Sequence, residues 1–435
     1  YATIYLANLV IERFDAAESE VKARNIAEAK FFRAICYFEL TTLWGTPPLV
    51  DRVLKNSEEY KVPNSTAEQL WKFMETDLTE AITSGKLTSK TSLEDRDGGT
   101  RATLEAARCL LGKIYLYQEK YTDAKSELEK VISSGKYDLI ADVSTFYHPA
   151  SAGCKEYVLE CVRHYDPSNM YSQEGWFGIL ANWGFGYGFI AGPEASMHYK
   201  FNTTSGYSYF NPSKSLYDAF VAEEGADGYR LNAWIRTWEQ VIAMNIAVNT
   251  TTNKYASEGY FRLKWLASTD DEFVGYWCGN QSNTPVIRYA DVLLMAAEAC
   301  LQAGDQAGAD EYLGRVRDRA RLPRKSHVTL SDIKLERRLE LAMEGMRFQD
   351  LKRWGDAPAV LADKGKKLPT FQIVPDPNND LTTAAGIYNA RYTTKTTYVD
   401  NEKSLAGWTP NRDEWLPFPE NELEVNSNLK QNPGY

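Results

Sequence analysis

Histidine is scarce in this sequence, with four residues in a chain of 435. They stand at His148, His164, His198 and His327. Zinc sites use histidines at short spacings, and these four are too far apart for that. None of them stands beside an obvious catalytic partner. We therefore expect no metal site, no cofactor and no catalytic residue.

Cysteine is also sparse, and its six residues include no Cys-x-x-Cys pair. The common redox and zinc motifs are therefore missing. Cys36, Cys109 and Cys300 fall inside apolar helical patterns, where cysteine usually acts as a small core residue. Cys154 and Cys161 lie seven residues apart in a loop-rich stretch, and they are the two cysteines that a disulfide could join.

Long apolar runs and an excess of positive charge are absent too. No stretch approaches the roughly 18 residues that a membrane-spanning helix needs. The net charge of −10 and the pI of about 5.2 argue against nucleic acid or an anionic membrane surface as the main partner. The sequence begins at Tyr1 and shows no targeting segment, which says nothing about the targeting of a longer precursor.

Helical periodicity is concentrated in three blocks, 25–44, 102–134 and 288–321. In each block apolar residues recur at steps of three and four, as on one face of an amphipathic helix. In the second block the order Leu111, Gly112, Tyr115 and Ala124 matches the tetratricopeptide (TPR) pattern L-G-x2-Y…A, with a break near Lys120. The sequence therefore predicts helix–turn–helix units.

The units are dispersed along the chain, whereas TPR arrays are normally contiguous. Residues 135–285 are rich in Gly, Tyr, Trp, Asn and Ser, and they show no sustained helical period. We predict a single domain over 1–435, with a helical scaffold from 25–134 and 286–355. Residues 135–285 form a loop-rich insertion that carries the binding site, and 356–435 form an irregular C-terminal region.

Four motifs in order along the chain resemble the SusD/RagB family of outer-membrane nutrient-binding lipoproteins from Bacteroidetes. They are AEAKFFRAICYFELTTLWGTPPLV (27–50), VIRYADVLLMAAEACLQAG (286–304) with VRDRARLP (316–323), ERRLELAMEGMRFQDLKRWG (336–355) and WLPFPENELEVNSNLKQNPGY (415–435). A looser match is NPSKSLYDAFVAEEGADGYR (211–230). The resemblance spans nearly the whole chain.

The resemblance implies a SusD-like fold: mostly α, with a TPR-like helix–turn–helix scaffold and a large irregular loop-rich insertion. It implies a non-enzymatic, surface-exposed outer-membrane lipoprotein that binds an oligosaccharide or polysaccharide and delivers it to a SusC-like TonB-dependent transporter. Family members begin with a signal peptide and a lipidated Cys, which this sequence does not contain. We expect membrane contact only through such an N-terminal lipid anchor.

Residues 336–355 read as one helix with an unusual density of charge. Glutamates recur along it at Glu336, Glu340 and Glu344, which places them on one face of a helix. Arginines crowd the same segment, and a paired arginine lowers a carboxylate pKa, the wrong direction for a general acid. We predict an internal salt-bridge network that docks the helix, with Gly345 at a close packing contact. The asparagine-rich tail is predicted to dock the C-terminus.

The binding site is expected among the aromatic residues of the insertion. Aromatic rings stack on the C–H faces of sugar rings, while amides and charged groups hydrogen-bond the hydroxyls. Two clusters have this composition: Trp176, Asn182, Trp183 and Tyr187, and then Tyr276, Trp277 and Asn280, followed by Gln281. The competing interpretation is burial, because large aromatics dominate protein cores.

Two other classes of function stay open from the sequence. A helical glycoside hydrolase needs two carboxylates roughly 5–10 Å apart across an aromatic cleft. Acidic residues near the aromatic clusters are Glu174, Glu194, Asp270, Asp271 and Glu272. A TPR adaptor would form a contiguous solenoid, which the long insertion disfavours. A RagB-like peptide-binding protein is a variant within the same family.

Overall fold

A computed structural model gives the three-dimensional structure of the chain. It describes residues 1–162, 189–190, 211–237, 239–240, 247–248, 254–255, 258–264, 283–380, 382–383, 386, 391–402 and 406–435. Every structural statement below concerns these residues. None of the helices in this part of the chain combines the length and the apolar character that crossing a bilayer requires.

The first half of the scaffold consists of five helices: α1 Ala2–Arg13, α2 Glu20–Trp44, α3 Ala67–Thr83, α4 Leu104–Tyr117 and α5 Tyr121–Ser133. Side chains of Ser19, Thr66 and Thr103 accept a hydrogen bond from a backbone N–H in the first turn, so α2, α3 and α4 begin where these caps stand. Helix α2 ends at Gly45, whose φ of 76° suits a glycine.

The α4–α5 hairpin confirms the predicted TPR-like crossing. The break falls at Lys120, the residue that precedes α5. A Cβ on Gly112 would lie 2.8 Å from a side-chain carbon of Leu128, so only glycine allows the two helices to approach this closely. Ala124 is fully buried at the same crossing.

The rest of the described chain adds eight helices: α6 Lys214–Glu224, α7 Tyr229–Trp234, α8 Tyr289–Gln302, α9 Gln306–Arg319, α10 Leu330–Glu340, α11 Arg347–Arg353, α12 Ala357–Val360 and α13 Glu420–Val425. Helix α8 is buried along almost its whole length and packs against α5, α9 and α10. It therefore joins the two halves of the scaffold in one hydrophobic core.

The prediction of a single helix over 336–355 is wrong. Helix α10 ends at Glu340, a turn follows, and α11 begins at Arg347. The turn contains two residues with positive φ, Met343 at 66° and Gly345 at 84°. A Cβ on Gly345 would meet nothing within 4 Å, so this glycine serves backbone conformation and not the close packing we predicted.

Nine short strands complete the described structure: β1 Tyr157–Cys161, β2 Phe189–Ile190, β3 Ile235–Thr237, β4 Ala247–Val248, β5 Lys254–Tyr255, β6 Tyr260–Arg262, β7 Thr284–Arg288, β8 Lys367–Pro375 and β9 Tyr392–Asp400. They form antiparallel sheets, in the orders β1-β7, β2-β4, β3-β6 and β5-β8-β9. The β8–β9 hairpin is the one long ribbon in the described part.

The C-terminal tail docks on α2 through its amides, as predicted. The Asn432 side-chain NH2 donates to the carbonyl oxygens of Trp44 at 3.0 Å and of Leu416 at 2.7 Å. The Gln431 side chain makes two hydrogen bonds to the backbone of Phe418. Its carbonyl oxygen accepts from the Phe418 N–H, and its NH2 group donates to the Phe418 carbonyl oxygen. These amides satisfy backbone groups that a helix end and a loop would otherwise leave unpaired.

The cysteines show no disulfide within the described residues. Cys154 and Cys161 are both free thiols, and Cys161 is exposed. Cys109 and Cys300 are buried in the helical core, the role predicted for them.

Candidate functional site

The aromatic clusters predicted from the sequence lie outside the described residues. One cluster falls within 163–188 and the other within 265–282. The seven residues concerned, which stay predictions, are Trp176, Asn182, Trp183, Tyr187, Tyr276, Trp277 and Asn280. The carboxylates considered for a hydrolase, Glu174, Glu194, Asp270, Asp271 and Glu272, lie outside as well.

The described scaffold fixes where both of these segments attach. Strand β1 ends at Cys161, just before residue 163, and β7 begins at Thr284, just after residue 282. The two strands are antiparallel, and Cys161 and Thr284 are register partners. The first segment therefore leaves the scaffold at the point where the second returns to it.

Hydrogen bonds to the buried Glu160 strengthen this attachment point. One carboxylate oxygen accepts from the Gly153 N–H at 2.8 Å, and the other accepts from the Asn283 side-chain NH2 at 3.0 Å. Burial raises the pKa of Glu160, although both hydrogen bonds favour its ionised form. The bonds connect the chain on either side of the predicted loops.

A buried salt-bridge network with Glu340 at its centre contacts the other end of the β1–β7 pair, where Tyr157 and Arg288 are register partners. The Glu340 carboxylate accepts from Arg230 and Arg288, each at 3.0 Å, and from Arg319. Burial opposes the ionisation of Glu340, but the adjacent arginines outweigh it and hold its pKa well below the ordinary range. A carboxylate held ionised in this way cannot act as a general acid.

Lys264 extends the network to the start of the second loop segment. Its ammonium group donates to the carbonyl oxygens of Glu340 at 3.0 Å and Ala342 at 3.1 Å, and to the Glu344 carboxylate at 2.6 Å. It also lies 3.8 Å from the ring centroid of Trp234. Burial lowers the Lys264 pKa to about 8, against the opposing effect of Glu344.

Arg288 and Glu156 extend the network to the two strands. Arg288 is the last residue of β7, and its guanidinium donates to Glu156, which directly precedes β1, at 2.6 Å. It also donates to Glu344 at 2.7 Å. Glu156 and Arg288, at one end of the β1–β7 pair, and Lys264, which directly precedes 265–282, thus belong to one buried cluster. The prediction of an internal salt-bridge network is confirmed.

The partners of this network were not identified from the sequence. The glutamates stood out because of their helical spacing, whereas Arg230, Arg288 and Arg319 come from distant segments. A usable signal existed for Arg288, since it interrupts the apolar run of 286–297. A charged residue in such a run is usually buried and paired.

One group of three potential metal ligands occurs in the described part of the chain, formed by Glu129, Cys300 and Asp305. The Lys125 ammonium lies 3.1 Å from the Asp305 carboxylate and 3.7 Å from that of Glu129. A lysine therefore already supplies the positive charge that a bound cation would provide. Burial raises the pKa of the Cys300 thiol to about 12, which disfavours the thiolate that a metal needs.

Comparison with known proteins identifies the family of this chain. The SusD family profile matches residues 155–435, more than half of the chain. A second profile, described as starch-binding associating with outer membrane, matches residues 1–116. The chain therefore belongs to the SusD family.

Individual relatives cover the whole of this chain at low identity. A SusD-like protein of Bacteroides ovatus is 25% identical over 100% of this chain and 79% of its own length. SusD-like protein P2 of Formosa agariphila is 26% identical, with the same shares covered.

Solved structures confirm the predicted fold class. A laminarin binding SusD-like protein superposes with a TM-score of 0.76 at 28% identity, over 99% of this chain and 84% of its own. Surface glycan-binding protein A from Bacteroides thetaiotaomicron, solved in complex with laminarihexaose, gives 0.70 at 23% identity, over 95% and 79%. The chain has the mostly helical, TPR-like SusD fold.

Proposed function

We propose that this protein binds an oligosaccharide or polysaccharide at the bacterial outer membrane without cleaving it. The observation that carries the proposal is the common attachment of 163–188 and 265–282 at the Cys161–Thr284 end of the β1–β7 pair. Both aromatic clusters predicted from the sequence lie on these segments. A rigid scaffold that carries adjacent loops is the usual arrangement of a binding site.

The relatives support this class of ligand. The solved structure at 28% identity is a laminarin binding protein, and the profile matched by residues 1–116 is described as starch-binding. The predicted ligand contacts are Trp176, Asn182, Trp183, Tyr187, Tyr276, Trp277 and Asn280. Their rings would stack on sugar faces, and their amides would bond hydroxyl groups.

A non-enzymatic role agrees with the electrostatics of the buried network. Arginines hold the pKa values of Glu340 and Glu344 low, although burial acts in the opposite direction. Neither carboxylate is therefore a general acid at neutral pH. Binding and release need no such group.

Calorimetry with a panel of plant, fungal and host glycans that includes laminarihexaose tests the proposal. We expect saturable binding of one glycan class, with no products by chromatography over a day. Trp183→Ala and Trp277→Ala should each weaken binding by about tenfold or more if the rings stack on sugar. Tyr60→Ala is the matched control, because Tyr60 is an exposed aromatic of the helical scaffold.

The outcomes separate this proposal from its alternatives. Released products would replace it with a glycoside hydrolase and redirect attention to the acidic residues near the clusters. Binding of peptides in place of glycans would favour a RagB-like peptide-binding protein. Unchanged affinity in both tryptophan variants would contradict the predicted site.

The partner in this proposal is a SusC-like TonB-dependent transporter, to which the protein would deliver its ligand. Attachment to the membrane would use an N-terminal lipid anchor. Co-purification of the tagged protein with such a transporter from outer membranes tests the pairing. Recovery of the protein alone, under conditions that keep the transporter intact, would contradict it.

A further inference from the structure

The β8–β9 hairpin leaves one long strand edge open. Strand β9 runs from Tyr392 to Asp400 and is the outer strand of the β5-β8-β9 sheet. Its register with β8 continues through nine residue pairs without a bulge. The N–H and C=O groups on the free side of such a strand can pair with another strand. The outer edge of β9 is therefore a surface suited to extended backbone.

The alternation of hydrogen bonds shows which residues of β9 face outwards. At one end of the hairpin the Asn401 N–H donates to the Lys366 carbonyl oxygen at 2.7 Å. At the other end the Asp376 N–H donates to the Arg391 carbonyl oxygen at 2.9 Å. Antiparallel strands bond through alternate residues, so the odd-numbered residues of β9 bond to β8. The residues that direct their backbone groups away from β8 are Tyr392, Thr394, Thr396, Tyr398 and Asp400.

The outward backbone groups of β9 have no hydrogen-bond partner within the described part of the chain. The usual protections of a sheet edge are scarce as well. Natural edges are short, or proline, bulges and charges interrupt them. Strand β9 has nine residues and no proline, and Lys395 is its only charged residue before Asp400. An edge with these properties favours pairing with a further strand.

The opposite edge of the same sheet is protected. Strand β8 has proline at Pro369 and Pro375, two of the positions that turn away from β9. Proline has no N–H to offer to a further strand. On this side β5, only two residues long, pairs with Thr370 and Phe371. In the described chain the sheet therefore has a single long open edge, so pairing there would close at two molecules and form no fibre.

The sequence of β9 is compatible with a second copy of the same strand. A two-fold axis at Thr396 pairs the strand with itself over its whole length, because Thr394 then faces Tyr398. Facing outward residues exchange both of their N–H···O bonds. Lys395 faces Thr397, so no two like charges lie directly opposite each other. The two copies of Lys395 are diagonal neighbours, which are farther apart than facing residues.

We propose that β9 pairs with β9 of a second copy, which joins two β5-β8-β9 sheets into one continuous antiparallel sheet. The dimer satisfies the open edge of both copies. It also covers part of Tyr398 and Val399, which are 50% and 61% exposed. The proposal goes beyond glycan binding and is independent of it, since neither predicted aromatic cluster lies on this hairpin.

Analytical ultracentrifugation of the full chain over about a hundredfold range of concentration tests the dimer. We expect a monomer–dimer equilibrium without larger species. Thr396→Pro removes an outward N–H and keeps the bonds of β9 to β8, so it should weaken the dimer by at least about tenfold. Thr396→Val is the matched control, because it keeps both the N–H and a β-branched side chain. This control should dimerise as the wild type does.

A disulfide tests the register of the two strands. The free, exposed thiol of Cys161 is first replaced by serine, and this parent chain is the control for the other cysteines. In the proposed register Thr396 faces its own copy at a Cα separation of about 5.5 Å, which a disulfide can span. Thr396→Cys should therefore give a covalent dimer under mild oxidation. Thr394→Cys should not, because it faces Tyr398.

Other results would overturn the proposal. A monomer at every concentration would exclude the dimer. A Thr396→Pro variant that dimerises as tightly as the wild type would show that another surface is responsible, with urea unfolding to establish that the variant folds. Equal cross-linking of the Thr396→Cys and Thr394→Cys variants would contradict the register. Glycan binding is measured separately by calorimetry, so failure here is distinguishable from failure of the proposed function.

Discussion

Single residues of the network place opposite charges in the buried interior of the protein, and Glu340 shows the consequence. Its carboxylate has no exposed surface and is surrounded by Arg230, Arg288 and Arg319. Removing one member of such a group leaves the others buried and unpaired. The network is therefore better understood as fixing the orientation of chain segments than as adding stability.

Replacing Glu340 by Gln should lower the free energy of unfolding at pH 7 by about 3–5 kcal/mol, because it leaves buried arginines uncompensated. Burial works against ionisation of Glu340, but the arginines keep its folded-state pKa below the ordinary value of 4.5. Its stabilisation is thus complete above that pH and declines as the pH falls. Urea unfolding at several pH values measures this difference.

The difference between wild type and Glu340→Gln should therefore shrink as the pH drops below about 4.5. Glu94→Gln, which changes an exposed glutamate, should alter stability by less than about 0.5 kcal/mol. A constant difference across the whole pH range would contradict the assignment.

The sequence predicted the glutamates of this network but not the arginines that pair with them. Glu336 and Glu340 are one helical turn apart, so periodicity was enough to place them together. Arg230 lies about a hundred positions earlier in the sequence, and no local pattern links it to Glu340. Contacts between distant segments depend on the packing of the whole scaffold.

At the level of secondary structure, the turn between α10 and α11 is the clearest departure from the sequence prediction. The charged pattern continues through it, so periodicity alone favoured one helix. The backbone leaves the helical region because Met343 and Gly345 take positive φ. Glu344 lies in this turn, and its carboxylate accepts hydrogen bonds from Arg288 and Lys264. The conformation of the turn therefore places one of the carboxylates of the buried network.

Replacing Gly345 by Ala should destabilise the protein by about 1 kcal/mol or more. The added Cβ meets no neighbour, so strain at φ 84° is the only cause. Gly99→Ala is the control, because its Cβ would make an ordinary contact at 3.8 Å from Lys90 and its φ lies outside the positive range. Thermal unfolding measures the melting temperatures of both variants. Equal melting temperatures would contradict the strain predicted at Gly345.

On the scale of the whole molecule, the SusD profile covers residues 155–435 and a second profile covers 1–116, yet the core does not divide at that boundary. Phe31, Ile114 and Leu293 belong to one hydrophobic cluster. Helix α8 packs against both α4 and α5. The helices that share this cluster, α1–α5 and α8–α10, should consequently unfold as one unit.

Replacing Leu293 by Ala should destabilise α4 as much as α8, by about 2–5 kcal/mol. Leu293 is fully buried, and the cavity left behind would affect every helix that shares the core. Hydrogen exchange of the slowest amides in the two helices measures this. Leu6→Ala, at a position 59% exposed, is the control, and a loss of protection confined to α8 would contradict a single unit.

The predicted aromatic site shows what a sequence can and cannot provide. Composition identified the segments with an unusual density of Trp and Asn, and family motifs predicted the scaffold on which they stand. Helices follow from short-range periodicity, which explains why α2, α4, α5 and α8 were anticipated. The segments that carry the two clusters show no such period, so the sequence does not determine which of their aromatic rings would contact a ligand.

The pairing of Cys161 with Thr284 has a consequence for how such proteins diversify. Paired residues on antiparallel strands are only about 5 Å apart, so the chain between them begins and ends at almost the same point. Lengthening a surface loop whose ends are already held together adds little free energy. Exchanging 163–188 and 265–282 for the corresponding segments of a relative would therefore change the surface beside this point, while α6, α7, Arg230 and Lys264, which lie between the two segments in the sequence, stay in place.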